Sequence, residues 1–142
     1  MKKILVVDDD VDILNLMFHY LKGDGHEVVI VPDGEQAMER LQMAQFDLVI
    51  TDILMPGING IDLTCKIIQA FPDMKVLVVS EGGNSDAKEI VAAIVLNKAV
   101  SFGALRALMK PFTKDELLEV VKKVLEGKLD EAEEIKPIRK KA

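Results

Sequence analysis

The chain has 142 residues, 49% of them apolar but only 4% aromatic, with no tryptophan and a net charge of −6. That is enough for one domain with an aliphatic core, and the acidic balance argues against gripping a nucleic-acid backbone. A single Cys65 excludes an intramolecular disulfide and fits a reducing compartment, while no apolar run approaches the roughly 18 residues of a membrane span or forms a signal-peptide core; a cytoplasmic chain without membrane insertion is expected.

Residues 3–7 (KILVV) read as a strand buried on both faces. Next, Val11, Leu14, Phe18 and Leu21 recur at helical spacing with Met17 alongside, and Gly23 and Gly25 end that helix. Glu27–Val31 is a second strand, Pro32-Asp33-Gly34 a turn, and 35–44 an amphipathic helix with Ala37, Met38, Leu41 and Ala44 on one face. Leu48–Thr51 is a third strand that ends on Asp52, and Met55-Pro56-Gly57 breaks the chain. Asn59 is placed to cap a helix over 60–71 with Leu63, Thr64, Ile67, Ile68 and Phe71 inward, stopped by Pro72-Asp73. Lys75–Val79 is a fourth strand ending on Ser80, followed by a loop at 81–84 and a helix near 85–97. Leu105–Met109 is a fifth strand ending on Lys110-Pro111, where a tight and even cis connection is compatible with the proline. Thr113 and Glu116 have the spacing of a capping box, opening a helix with Leu117, Val120, Val121, Val124 and Leu125 inward and Gly127 as its stop.

Five apolar strands alternating with five helices imply an α/β fold: a doubly wound parallel sheet with helices on both faces. In such sheets ligands bind beyond the carboxyl ends of the strands, and four of those ends carry Asp8-Asp9, Asp52, Ser80 and Lys110. The bland alternatives are a helix N-terminus for Asp8 and Asp9, a turn for Asp52 and solvated strand ends for Lys110 and Ser80. Convergence shifts the weight. Three neighbouring carboxylates need a cation or protons, and oxygen ligands without His or Cys point to a hard ion, Mg²⁺ or Mn²⁺. A carboxylate beside such an ion is a competent nucleophile toward an activated phosphoryl group, Lys110 can clamp a phosphoryl oxygen, and the Ser80 hydroxyl can donate to one. Two other carboxylate motifs fail: Ile13 stands where an EF-hand loop needs glycine, and Asp12 where an aspartyl phosphatase needs Thr or Val. His19, His26 and Cys65 receive no role, and Asp10 and Asp12 read as residues favouring a helix N-terminus.

The stretches ILVVDDD, TDILMPGINGIDL, VLVVS and LMKPF, each in order at the end of its own strand, resemble the response-regulator receiver domain of two-component signalling across roughly residues 1–126. The resemblance implies a flavodoxin-like sheet in the order 2-1-3-4-5. It makes Asp52 the phospho-acceptor, served by a histidine kinase or phosphotransfer protein. Asp8, Asp9, Asp52 and the backbone carbonyl of Leu54 would hold the Mg²⁺, with Lys110 on the phosphoryl group and Ser80 as the switch hydroxyl. Phosphorylation would bias the surface of the helix near 85–97, the fifth strand and the last helix toward a downstream protein or effector domain. The family also admits a phosphorylation-linked dimer. This is a switched module and not a turnover enzyme.

Three departures stand out. Glu81 follows the switch hydroxyl where the family keeps a small residue, Ala107 replaces a common aromatic, and the segment from Ser80 to Lys110 is longer by roughly two helical turns. Switching is therefore expected to run through the 81–85 loop and the following helix. Leu54 and Gly82, which cannot position a water, imply slow self-dephosphorylation. Glu81 and Ala107 also motivate an alternative, a phosphate-independent interaction module on the same fold. Residues 1–127 are expected to form the receiver, and the charged 128–142 a tail or the start of a linker.

Overall fold

In a computed structural model of the chain, residues 2–53, 57, 60–81 and 105–127 are described. Their elements are β1 (Lys3–Val7), α1 (Val11–Gly23), β2 (Glu27–Val31), α2 (Gly34–Met43), β3 (Leu48–Asp52), α3 (Gly60–Ala70), β4 (Lys75–Glu81), β5 (Leu105–Lys110) and α4 (Lys114–Glu126). The five strands form one parallel sheet in the order β2-β1-β3-β4-β5. This is the doubly wound order expected. The predicted helix near 85–97, the Asn59 cap and the tail at 128–142 lie outside the described residues.

Strand periodicity divides the core in two. Side chains at i and i+2 share a face, so Leu5, Val7, Val49, Val76 and Val78 pack on one side with Ala37 and Leu41 of α2 and Leu63 and Ile67 of α3. On the other side Ile4, Val6, Leu48, Ile50, Leu77, Val79 and Leu108 meet Leu14, Met17 and Leu21 of α1 and Leu117, Val120, Val121 and Val124 of α4. Both faces are covered, which is why the strands read as continuous apolar runs.

The helix ends are built as their sequences dictate. The Asp10 carboxylate caps α1, accepting from the backbone N–H of Asp12 at 3.0 Å and of Ile13 at 3.4 Å. Asp33, expected as a turn residue, caps α2 through the Gln36 N–H at 2.8 Å. The Thr113–Glu116 capping box forms in both directions, at 2.9 and 3.1 Å, and Gly127 closes α4 in the left-handed conformation with φ 67°.

Two expectations need correction. Val11 is 63% exposed and Phe18 only half-buried; the buried seam of α1 is Leu14, Met17 and Leu21. At about 100° per residue, Val11 and Phe18 lie roughly 70–90° from the centre of that seam. Leu125, half-buried, packs as expected against the same cluster as the buried Val121 and Val124 of α4. Also, β4 does not end on Ser80: it takes in Glu81, and the two pair in register with Met109 and Lys110.

A candidate phosphoryl and metal site

The same periodicity that builds the α1/α4 face also builds the site. Ile4 and Val6 lead to Asp8, Leu48 and Ile50 to Asp52, and Leu108 to Lys110. Continuing each row by one step delivers two carboxylates and an ammonium to the carboxyl edge of three strands.

There, carboxylate oxygens of Asp8, Asp9 and Asp52 lie within 4.8 Å of one another. Lys110 Nζ is 3.2 Å from Asp8 Oδ2 and 3.5 Å from Asp52 Oδ1. Asp8 is wholly buried and Asp52 only 6% exposed, whereas Asp9 faces solvent. The Asp10 N–H donates to Asp8 Oδ1 at 2.9 Å, so the residue that caps α1 also orients the carboxylate two positions before it. The Lys110-Pro111 peptide bond is cis.

Burial pushes Asp52 up to about 6; the Asp8 charge adds to the rise, and Lys110 partly offsets it. Burial also raises Asp8 above its ordinary value, with the Asp10 N–H and Lys110 opposing and Asp9 adding. Both carboxylates thus carry charge at a cost, and a bound cation would relieve it. The donor set is all oxygen, two buried carboxylates and one at the solvent, which fits a hard divalent ion that keeps several waters.

The structure brings together four of the residues singled out in the sequence: Asp8, Asp9, Asp52 and Lys110. Leu54 lies outside the described residues; Ser80 is placed only by its strand position opposite Met109. Sequence reasoning missed Gly60. Its N–H donates to the Ile53 carbonyl at 2.7 Å, and a Cβ there would run into the carbonyl oxygen of Asp52. An Asn-Gly pair just after a chain break was the available signal.

A family model described as the response regulator receiver domain matches residues 4–122. The chain belongs to the response regulator receiver family. This receiver is 33% identical to the DNA-binding response regulator MtrA of Mycobacterium tuberculosis over 94% of its own length and 55% of that protein. It therefore spans about half the length of such curated relatives. Among solved structures, the receiver is similar to the chemotaxis protein CheY4 of Vibrio cholerae, with a TM-score of 0.76, 28% identity, and coverage of 87% of this chain and 98% of that one. It is likewise similar to the response regulator TrrA of Thermotoga maritima, solved in complex with Mg²⁺ and BeF, with a TM-score of 0.73, 33% identity, and coverage of 87% and 99%. Among the described residues no helix is long and apolar enough to cross a membrane.

Proposed function

We propose that this receiver accepts a phosphoryl group on Asp52 from a histidine kinase or phosphotransfer protein and thereby switches a protein-binding surface. The observation that carries the reading is the buried Asp8–Lys110–Asp52 bridge with Asp9 at its mouth. An Asp52 oxygen attacks the phosphorus of a phosphohistidine; the phosphoryl group moves onto the carboxylate as an acyl phosphate, and the imidazole leaves with the bonding pair. Asp52 is held up to about 6, so it is available as the ionised nucleophile at neutral pH. Lys110 is within reach to follow the charge that spreads over the phosphoryl oxygens in a loose transition state. Asp8, Asp9 and Asp52, with the Leu54 carbonyl, would hold Mg²⁺ or Mn²⁺, which when bound neutralises that charge. Ser80 supplies the hydroxyl that answers the new phosphoryl group. Each chain carries one phosphoryl group, so this is a switch and not a turnover enzyme.

Residues 1–127 form the functional unit in this reading, and 128–142 a tail or linker. The greater length of the MtrA relatives, which are named as DNA-binding, makes a DNA-binding effector domain one candidate for the downstream partner.

The decisive experiment is incubation with acetyl phosphate and Mg²⁺ followed by intact-mass measurement. The expected outcome is a single phosphoryl adduct that Asp52→Ala abolishes. No adduct from acetyl phosphate or from a cognate kinase would favour the phosphate-independent module.

A further inference from the structure

Thr64 lies on the inner face of α3, between Leu63 and Ile67 in the run of buried positions, and is itself wholly buried. Its spacing reads as a packing position, but its hydroxyl donates to the Gly60 carbonyl at 2.7 Å. A threonine bonding four residues back is a common habit inside helices. What sets this one apart is the residue it holds. The Gly60 N–H reaches the Ile53 carbonyl at 2.7 Å, tying the start of α3 to the residue after β3. A Cβ on Gly60 would also lie 2.7 Å from Ile53 Cα, so the first turn of α3 sits directly against the Asp52–Ile53 peptide. That peptide is held from two further sides: the Thr51 hydroxyl donates to the Asp52 carbonyl at 3.0 Å, and the Ile53 N–H donates to Val79 of β4 at 3.0 Å.

We propose that Thr64 is a positioning residue for the carboxylate cluster: it anchors Gly60, and Gly60 fixes the Asp52–Ile53 peptide that carries the Asp52 carboxylate. The inference rests on the reading of the cluster as a divalent-cation site. Thr64 touches no reacting group. It acts through the backbone, as the outer supports of metal ligands do. Valine has the same shape without the donor. Its backbone can still complete the helix, but Gly60 loses its side-chain tether.

The test titrates MgCl₂ calorimetrically into wild type, Thr64→Val and Thr64→Ser, and follows amide hydrogen exchange at Gly60 without metal. Thr64→Val is expected to weaken Mg²⁺ binding about tenfold, the low end for outer supports, and to speed exchange at Gly60; Thr64→Ser restores both. A Thr64→Val protein of lowered melting temperature but wild-type Mg²⁺ affinity makes Thr64 merely structural and overturns the proposal. If wild type itself binds no Mg²⁺, the cation reading fails. Exchange at Gly60 then still judges the tether: unchanged protection in Thr64→Val overturns it, faster exchange supports it. Should Thr64→Val not fold, Thr64→Ala carries the same comparison.

Discussion

Asp8, Asp9, Asp10 and Asp12 look alike in the sequence and have different situations in the fold. Asp8 is wholly buried on Lys110, Asp9 faces solvent at the mouth of the cluster, and Asp10 caps a helix. The buried pair creates a pH dependence whose sign is fixed. Asp52 rises from an ordinary 3.8 to about 6, so between those values the folded metal-free protein binds more protons than the unfolded chain. Stability from this group is present at low pH and lost as pH climbs through about 6, a fall of about 2–3 kcal/mol for a shift of that size. Asp8 acts in the same direction. Urea denaturation in EDTA between pH 4 and 7.5 should show the decline, and Asp52→Asn should flatten it while raising the midpoint at pH 7.5. An unchanged slope in Asp52→Asn would place the titration elsewhere.

At the scale of elements, capping and chemistry can be separated by mutation. Asp10→Ala should cost about 1 kcal/mol through the lost α1 cap, with a smaller effect on phosphorylation. Asp9→Ala should abolish Mg²⁺-dependent phosphorylation with little loss of stability. Melting curves and phosphoryl incorporation measured on both variants check the pair; a reversed pattern would exchange their roles. Elements were legible where the pattern was strong. KILVV gave β1 with its observed ends because a strand buried on both faces tolerates little but aliphatic residues; EVVIV gave β2, a half-buried edge strand, through its run of β-branched residues. The inner face of α1 was misjudged because Val11, Leu14, Phe18 and Leu21 satisfy helical spacing as well as Leu14, Met17 and Leu21 do. Only packing against the sheet chooses between two stripes so close in angle. The end of β4 was placed one residue short because Glu81, followed by Gly82-Gly83, looks like a loop; pairing with β5 carries the strand onward. Of the candidate site, the carboxylates and Lys110 were legible because charge is costly at the end of a buried strand. Thr64 was not, since a threonine on an apolar helix face gives no sign of where its hydroxyl points.

Across the whole molecule, the proposed cation site and the fold draw on the same three carboxylates. A ligand that binds only the folded state at about ten times its dissociation constant adds about 1.4 kcal/mol. MgCl₂ should therefore raise the melting temperature of wild type, EDTA should reverse the gain, and Asp8→Ala or Asp9→Ala should remove it; an equal gain in those variants would put the ion elsewhere. The Asp8–Lys110 bridge spans 102 positions of sequence and ties the first strand of the sheet to the last. Synthesis runs in the other sense. The ribosome delivers all three carboxylates within the first 52 residues, whereas Lys110 emerges only with the final strand. A nascent chain halted before β5 therefore holds the repulsion without this counter-charge. The protein's own counter-charge joins the site only when β5 has been made, so the Asp8–Lys110–Asp52 bridge is reserved for chains that have completed their sheet.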